Sequence, residues 1–178
     1  MDYKLHIKYN EGSPVKDYYR EHCNKNRRVE KSFGDNFVFH KNEDSGFDLF
    51  VPRDYTFRKN QTILINLDIS CSMLSSQNNY QRNVAYYLYP RSSIYKYDLV
   101  MMNTTGIIDM GYRGNIKVPL KWLGNNETNP SDTFLLKAGT RVCQICSDSL
   151  EPFDTYEVDQ LTDSKRGTGG FGSTGEGQ

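Results

Sequence analysis

The sequence predicts an all-β fold, either a barrel or a jelly roll, from three observations. Its apolar segments are short and rich in β-branched and aromatic residues, which are the residues that strands favour. Gly, Pro, Asn, Asp and Ser separate these segments, as expected of turns. Only residues 15–29 have a pattern that also fits a helix. Many short strands with few helices are typical of barrels and jelly rolls.

The predicted strands follow one another along the chain with turns between them. They occupy residues 36–40, 46–51, 62–69, 84–89, 116–122 and 141–146. Two polar stretches, residues 75–79 and 124–131, predict surface loops without a catalytic role. We find no internal repeat, and a length of 178 residues suits one domain that buries roughly two-thirds of its unfolded surface.

Charge and hydropathy exclude several classes of partner. The chain has 22 basic and 22 acidic side chains, a formal net charge of +0, and therefore no overall field that would recruit a polynucleotide or a membrane. No apolar run reaches the roughly 20 residues of a membrane span, and the first residues do not have the pattern of a secretion signal. We expect an intracellular protein, cytoplasmic or nuclear, without nucleic-acid or membrane partners and with reduced cysteines.

The cysteine pair Cys143 and Cys146 has the spacing of a redox or zinc motif, but it lies in a predicted strand. Positions three apart on a strand face opposite sides, and no second pair exists to complete a tetrahedral site. The three histidines lack the i, i+4 spacing of helical metal ligands. We therefore expect no metal or redox role for these cysteines and histidines.

Residues 166–175 combine many glycines with one guanidinium, one aromatic ring and two hydroxyl groups. Glycines let backbone N–H groups approach phosphate oxygens, Arg166 offers a planar fork, Ser173 and Thr174 add hydrogen bonds, and Phe171 can stack on a base. The dinucleotide and phosphate-loop patterns that overlap this stretch both require a following helix, and too few residues follow. The segment is either a loose tail or an arm that orders on a phosphorylated ligand.

Two further sites place polar side chains where a turn meets a strand. Asp48 follows Ser45 and Gly46, and a turn into a strand explains this arrangement. Residues 90–93 (Pro-Arg-Ser-Ser) offer a guanidinium and two hydroxyls directly after a strand. Such a cluster either caps a helix or forms a nest for an anion.

The remaining two sites lie later in the chain. Ile107 and Ile108 resemble a strand, and the following Met-Gly pair resembles a hairpin turn, which would place Asp109 and Tyr112 across the mouth of a tight hairpin. In residues 141–146, an arginine and a glutamine interrupt an otherwise apolar strand. Each of these sites alone has an ordinary structural explanation.

Taken in order, the five segments resemble the five motifs of the trimeric deoxyuridine triphosphate nucleotidohydrolases, or dUTPases. The matching segments are residues 45–49, 90–93, 106–114, 141–145 and 166–175. The resemblance covers roughly residues 37–175. It divides the chain into an N-terminal extension (1–36), a β-barrel core (37–162) and a flexible Gly-rich C-terminal arm that closes over the active site (163–178).

The resemblance implies a distorted jelly-roll barrel that forms a homotrimer, with the C-terminal arm exchanged between subunits. The implied reaction is the hydrolysis of dUTP to dUMP and pyrophosphate with Mg²⁺. Asp109 would be the general base that activates water for attack on the α-phosphorus. The uracil would be bound by a set of residues on the hairpin and beside it, and Tyr112 would pack against the deoxyribose. That uracil set is Asn103, Gly106, Ile107 and Ile108.

The resemblance also assigns the triphosphate and the metal. Phe171 would stack over the uracil as the arm closes, and Asp48 would contact Mg²⁺ through a coordinated water. The phosphate-binding set is Arg91, Ser92, Ser93, Gln144, Arg166, Gly172, Ser173 and Thr174. The chain departs from the commonest motifs at Phe47, Ser93 and Cys143, where Tyr, Gly and Ala are frequent.

Two other functions remain open on the same scaffold. The related dCTP deaminases use a Glu shortly after the hairpin, and the matching position here is Pro119, which cannot transfer a proton. A non-catalytic dUTP-binding regulatory protein is the second alternative, because a fold does not fix an activity.

Overall fold

The computed structural model describes residues 2–25, 31–32, 38–39, 44–78, 80–124 and 132–169. Within these ranges the chain is mostly β-strand, with one α-helix, α1 (Val15–Lys25), and one 3₁₀ helix (Ser92–Tyr97). The strands are β1 (Asp2–Tyr9), β2 (Lys31–Ser32), β3 (Val38–Phe39), β4 (Gly46–Phe50), β5 (Tyr55–Arg58), β6 (Thr62–Gln77), β7 (Tyr80–Val84), β8 (Tyr86–Pro90), β9 (Leu99–Met101), β10 (Gly106–Ile108), β11 (Asn115–Trp122), β12 (Thr133–Leu136), β13 (Arg141–Cys146) and β14 (Asp154–Glu157).

These strands form two main sheets that share one core. The larger sheet has the order β14-β1-β6-β11-β9, with β7 also paired to β6, and the smaller has the order β10-β8-β13-β4. Strand β11 shows strict alternation, with Ile116, Val118, Leu120 and Trp122 buried. These side chains belong to the same buried cluster as Phe47 of the smaller sheet. Each sheet therefore covers the apolar face of the other. Since the described chain is mostly strand, the predicted all-β fold is confirmed.

The N-terminal strand β1 lies inside the larger sheet. It pairs with β6 over eight residues and runs parallel to β14 on its other side, where Lys4 faces Asp154. Its Leu5 and Ile7 side chains are fully buried. The division into extension, core and arm stays a prediction, but the first strand of the predicted extension is an interior strand of this sheet.

The predicted helix at residues 15–29 exists as α1 and ends at Lys25 in the described part of the chain. Val15, Tyr19 and Cys23, spaced four apart, are its buried face. The Tyr19 hydroxyl accepts a hydrogen bond from the Phe50 backbone N–H at 2.9 Å, and its ring stacks on Phe47. The helix therefore covers β4 from outside the sheet. No helix in the described ranges is both long enough and apolar enough to cross a membrane.

Two predictions about the middle of the chain are wrong. Residues 75–77 are not a loop, because β6 continues to Gln77, with Ser75 and Ser76 paired to both β1 and β7 and Gln77 paired to β7. The predicted strand at 84–89 is two strands, which Ala85 separates. Strand β7 joins the larger sheet and β8 the smaller, so the chain changes sheets at this residue. Of the predicted strand at 36–40, the structure describes Val38–Phe39, which pairs with β2.

Candidate functional site

The turn at residues 109–113 connects two strands that belong to different sheets. Strand β10 pairs with β8, whereas β11 pairs with β6 and β9. The turn itself is closed by a hydrogen bond from the Tyr112 N–H to the Asp109 carbonyl at 2.9 Å. The prediction of a tight hairpin is therefore wrong, because the two flanking strands hydrogen-bond to other partners.

A cleft of about 210 Å³ opens beside this turn, and we call it the turn cleft. The resemblance assigned Asn103 and residues of the third motif to uracil, to the deoxyribose and to catalysis. All of these residues line the turn cleft. The lining residues are Leu88, Asn103, Thr105, Gly106, Ile107, Ile108, Asp109, Tyr112, Asn115, Lys117 and Arg166. The sequence prediction missed Leu88, Thr105, Asn115 and Lys117. A local signal existed for Asn115 and Lys117, since alternate residues of one strand share a face.

Tyr112 forms one wall of the turn cleft and is only 9% exposed. Its hydroxyl donates to the Asn115 carbonyl at 2.9 Å, and burial raises its pKa. Gly114 makes room for the ring, because a Cβ at that position would lie 2.6 Å from the Tyr112 hydroxyl oxygen. The ring is thus held as a neutral wall with its polar end already bound.

Asp109 places its carboxylate at the mouth of the turn cleft. Its Oδ2 lies 2.8 Å from Arg166 Nη1, and both side chains are about half exposed. Ion pairs at such exposure contribute at most about 1 kcal/mol, so this contact can open at small cost. The arrangement offers a carboxylate within reach of a bound ligand and of solvent water.

A second cleft, which we call the arginine cleft, lies across the smaller sheet and measures about 290 Å³. It is lined by Asp44, Ser45, Gly46, Asp48, Arg91, Ser92 and Gln144. Three of the predicted phosphate ligands, Arg91, Ser92 and Gln144, therefore come together here. Ser93 does not line it, and its hydroxyl instead accepts a hydrogen bond from Arg91 Nη1 at 3.4 Å.

Asp48 holds two guanidinium groups in the arginine cleft. Its Oδ1 lies 2.6 Å from Arg91 Nε, and its Oδ2 lies 3.0 Å from Arg141 Nη1. The sequence predicted that Asp48 contacts Mg²⁺ through water. In this structure both oxygens of its mostly buried carboxylate are bound by arginine, so it orients Arg91, and the contact with Mg²⁺ stays a prediction.

Gly46 creates the space for the Gln144 carboxamide in the same cleft. A Cβ at Gly46 would lie 1.9 Å from Gln144 Oε1, closer than any real contact. The Gln144 amide nitrogen donates to the Pro90 carbonyl at 3.3 Å, which ties it to the strand before Arg91. Gly46 of the first motif therefore leaves room for the Gln144 side chain of the fourth motif.

The described part of the arm lies on the turn of its own chain. The Arg113 backbone N–H donates to the Gly167 carbonyl at 2.7 Å, and Tyr112 forms a β-bridge with Gly167. Arm exchange between subunits stays a prediction. The predicted arm residues Phe171, Gly172, Ser173 and Thr174 lie outside the described residues.

The cysteine pair is buried in the smaller sheet. Cys143 and Cys146 are free thiols, and burial raises the pKa of each. Among the described residues, no three His, Cys, Asp or Glu side chains come together as ligands for a metal ion.

Comparison with known proteins decides the family. A family model described as dUTPase matches residues 36–175. The chain belongs to the dUTPase family. The resemblance noted in the sequence is thus confirmed.

Three relatives of this dUTPase-family chain carry the name deoxyuridine 5'-triphosphate nucleotidohydrolase. The protein of Thermobifida fusca is 35% identical over 133 residues, covering 74% of this chain and 68% of the relative. That of Clostridioides difficile is 32% identical over 153 residues, covering 84% and 98%. That of Mus musculus is 33% identical over 132 residues, covering 74% and 73%.

Solved dUTPases also match this chain in three dimensions, at lower identity. The dUTPase of Staphylococcus bacteriophage 80alpha with dUPNHPP is 21% identical, covers 96% of this chain and 98% of its own, and has a TM-score of 0.48. The dUTPase from Streptococcus mutans is 22% identical, covers 92% and 100%, and has a TM-score of 0.46. The family assignment rests on the sequence matches, not on these scores.

Proposed function

We infer that this chain hydrolyses dUTP to dUMP and pyrophosphate, using the turn cleft for the nucleoside. The observation that supports this most directly is the position of Asp109. An exposed carboxylate stands at the mouth of a cleft whose walls are a strand edge and the flat ring of Tyr112. In this proposal the base lies against the strand edge, the deoxyribose lies against the Tyr112 ring, and the attacked phosphorus lies beside the Asp109 carboxylate.

Strand β10 provides the means of recognising uracil. Among the described strands it lies at the edge of the smaller sheet and pairs with β8, so its other edge offers backbone N–H and C=O groups to the cleft. Uracil presents an N3–H donor and an O4 acceptor, whereas cytosine reverses both. A backbone edge suited to uracil leaves buried polar groups unpaired against cytosine. In enzyme sites built to hydrogen-bond a substrate group, such a mismatch lowers the rate by roughly 10⁴–10⁵-fold.

Tyr112 provides the means of rejecting ribose. The hydroxyl of this ring is already bound to Asn115, so the ring offers an apolar face to the sugar. A ribose 2′-OH pressed against that face would lose its water without a replacement partner. Such an unpaired polar group costs on the order of 1–3 kcal/mol, which makes UTP a poor substrate.

Asp109 acts as the general base in the proposed reaction. Its carboxylate accepts a proton from water as the water oxygen bonds to the α-phosphorus, and the bond from that phosphorus to the bridging oxygen breaks to release pyrophosphate. A positioned base of this kind contributes about 10²–10⁴ in rate. Arg166 leaves Asp109 when the triphosphate, a stronger anion, takes its guanidinium.

The triphosphate is the proposed ligand of the arginine cleft and of the arm. Arg91 and Gln144 supply fixed donors there, and the arm adds Arg166, Gly172, Ser173 and Thr174, while Phe171 stacks on the uracil. The turn cleft and the arginine cleft of one chain share no lining residue. We therefore propose a homotrimer in which clefts of different copies face each other, and in which the arm beyond Gly167, whose preceding residues lie on the turn of their own chain, reaches a neighbouring copy.

Mg²⁺ is the proposed metal, carried by the substrate. Asp48 is bound by two guanidiniums and Asp109 by one, so the described residues of these two clefts form no cage of carboxylates. This donor set fits Mg²⁺ held mainly by phosphate oxygens and water, with Asp48 close by. When bound, the ion would neutralise charge on the departing pyrophosphate.

The deciding experiment measures pyrophosphate release from dUTP, dCTP, dTTP and UTP. It uses the parent chain, Asp109→Asn, and a chain that ends before Arg166. We expect turnover of dUTP far above that of the other three nucleotides, and a large loss of that turnover in both altered chains. Ammonia released from dCTP would show a deaminase instead, and tight dUTP binding without turnover would show a regulatory protein. Monomers in sedimentation would contradict a site shared between copies. The cytoplasmic or nuclear location stays a prediction.

A further inference from the structure

The guanidinium of Arg113 uses all five of its N–H donors, and no substrate role accounts for this. Nε donates to the Thr162 carbonyl at 2.7 Å, and Nη2 reaches the hydroxyl of the same residue at 3.3 Å. Nη1 donates to the carbonyls of Met110 and Tyr112, each at 2.9 Å. Nη2 also donates to Asn83 Oδ1 at 3.3 Å. Five donors are the whole capacity of an arginine.

These acceptors belong to three separate pieces of the chain. Met110 and Tyr112 are in the turn that bears Asp109, Asn83 is on β7, and Thr162 begins the segment that leads into the arm. All five acceptors are uncharged oxygens, so the contacts depend on the shape of the fork rather than on a carboxylate partner. Arg113 therefore joins the turn to the root of the arm.

Further contacts fasten the same two pieces together. The Ser164 hydroxyl donates to the Gly111 carbonyl and accepts a hydrogen bond from the Gly167 N–H at 3.1 Å. At Gly111, a Cβ would lie 3.3 Å from the Cβ of Arg166, so the arm segment packs directly on the turn. Residues 162–167, which we call the strap, are thus docked against residues 109–113.

We propose that Arg113 is a positioning residue that clamps the strap onto the turn, and so fixes the Asp109 carboxylate and the starting point of the arm relative to each other. The proposal rests on the inferred dUTP hydrolysis. The side chain acts through its neighbours and touches no substrate. A lysine keeps the charge but has a single nitrogen, which cannot reach both the turn and the strap as the fork does.

The clamp has a distinctive kinetic consequence. Arg113 lines neither the turn cleft nor the arginine cleft, so the substrate contacts of the other lining residues are largely retained when the clamp is lost. The arm then lacks a fixed starting position, and the Asp109 carboxylate is held less firmly. We expect kcat for dUTP to fall about tenfold, with a smaller change in KM, since hydrogen bonds to a charged group are lost.

Trypsin tests the clamp independently of activity, because the strap contains Lys165 and Arg166 as cleavage sites. The full chain is compared with Arg113→Lys, Arg113→Met and the matched control Arg82→Met, which removes an exposed arginine next to Asn83 on β7. We expect cleavage at 165 and 166 to accelerate about tenfold in both Arg113 variants, with other sites unchanged. The control should match the parent in cleavage of the strap and in kcat.

Two results would overturn the clamp: unchanged strap cleavage in both variants, or a lysine variant that behaves like the parent. If the Arg113 variants lose the whole fold, which thermal unfolding reports, Ser164→Ala decides the matter. That variant keeps Arg113 and removes the second link, so it should speed strap cleavage at an unchanged melting temperature, and unchanged cleavage would overturn the docking. A parent that fails to hydrolyse dUTP would refute the proposed function and leave the cleavage result standing.

Discussion

Asp109 and Arg166 form an ion pair, with 2.8 Å between the carboxylate Oδ2 and the guanidinium Nη1. One is the proposed general base and the other is a proposed phosphate ligand of the arm. Both are about half exposed, so the pair contributes at most about 1 kcal/mol and yields readily to a polyanion. The first residues of the arm therefore rest on the proposed base, and our proposal requires that they leave it when a triphosphate binds.

Replacing Asp109 with Asn should remove the base and keep the shape of the cleft. We expect kcat for dUTP to fall by about 10²–10⁴, while a non-hydrolysable dUTP analogue binds within a few-fold of the parent. Pyrophosphate release and calorimetric titration measure the two quantities. Asp159→Asn, which changes an exposed carboxylate outside both clefts, is the control. Equal kcat in Asp109→Asn and parent would remove Asp109 from the mechanism.

Replacing Asp48 with Asn separates two possible roles of that carboxylate. If it orients Arg91, the KM for dUTP should rise about tenfold, because two charge-assisted contacts are lost. The Mg²⁺ concentration for half-maximal rate should then stay the same, whereas a carboxylate acting on the metal would raise it. Asp68→Asn, at a second buried Asp that pairs with Arg53, should reduce stability without changing KM.

Replacing Gly46 with Ala should displace the Gln144 carboxamide from the arginine cleft. The end of this flexible side chain can move, so we expect a loss of at most about 1 kcal/mol of stability and a fall of about tenfold in kcat/KM. Gln144→Ala supplies the partner for a double-mutant cycle. If the two losses simply add, Gly46 does not act through Gln144.

Replacing Gly114 with Ala should push the Tyr112 ring into the turn cleft, since the new Cβ would meet the ring at 2.6–3.0 Å. We expect the preference for dUTP over UTP to shrink, because the sugar then meets a displaced wall. Tyr112→Phe is the control, since it removes only the hydroxyl and its bond to Asn115, worth about 1 kcal/mol. Competition between dUTP and UTP gives both ratios directly, and an unchanged ratio in Gly114→Ala would contradict the assigned wall.

Stability should fall with rising pH because buried thiols stay protonated in the folded chain. Burial is the main cause that raises the pKa of Cys71 and of Cys143. The nearby Cys23 raises the pKa of Cys71 further, and the nearby Asp48 raises that of Cys143. The unfolded thiols ionise first, near pH ~8.5, so the stabilisation is complete below that pH and is lost above it, by about 1.4 kcal/mol per pH unit for each thiol. Urea unfolding between pH 7 and 10 measures the slope. Cys143→Ala should reduce it, and an unchanged slope would contradict the assignment.

Local pattern was enough to predict the family and the strands at residues 46–51, 62–69, 116–122 and 141–146, but not β1, β5, β9, β12 or β14. The alternation of Ile116, Val118, Leu120 and Trp122 has the period of a strand with one buried face, and any sheet would accept it. The five motifs named many of the residues in both clefts, but not Leu88, Thr105, Asn115 and Lys117 of the turn cleft. The alternation did not show that Ser75 continues a strand, since buried serines beside two partner strands look like a polar loop in sequence.

Only the tertiary structure decided which strands pair and which charged side chains meet. Sequence placed Asp109 and Tyr112 on a hairpin, but whether β10 pairs with β11 or with β8 depends on long-range hydrogen bonding, and the answer is β8. In the same way, Asp48 lies far from Arg91 and Arg141 along the chain, and only the ordering of β4, β13 and β8 brings their charges together. A strand's period is written in its own residues, whereas its neighbours are chosen by the free energy of the whole packed sheet.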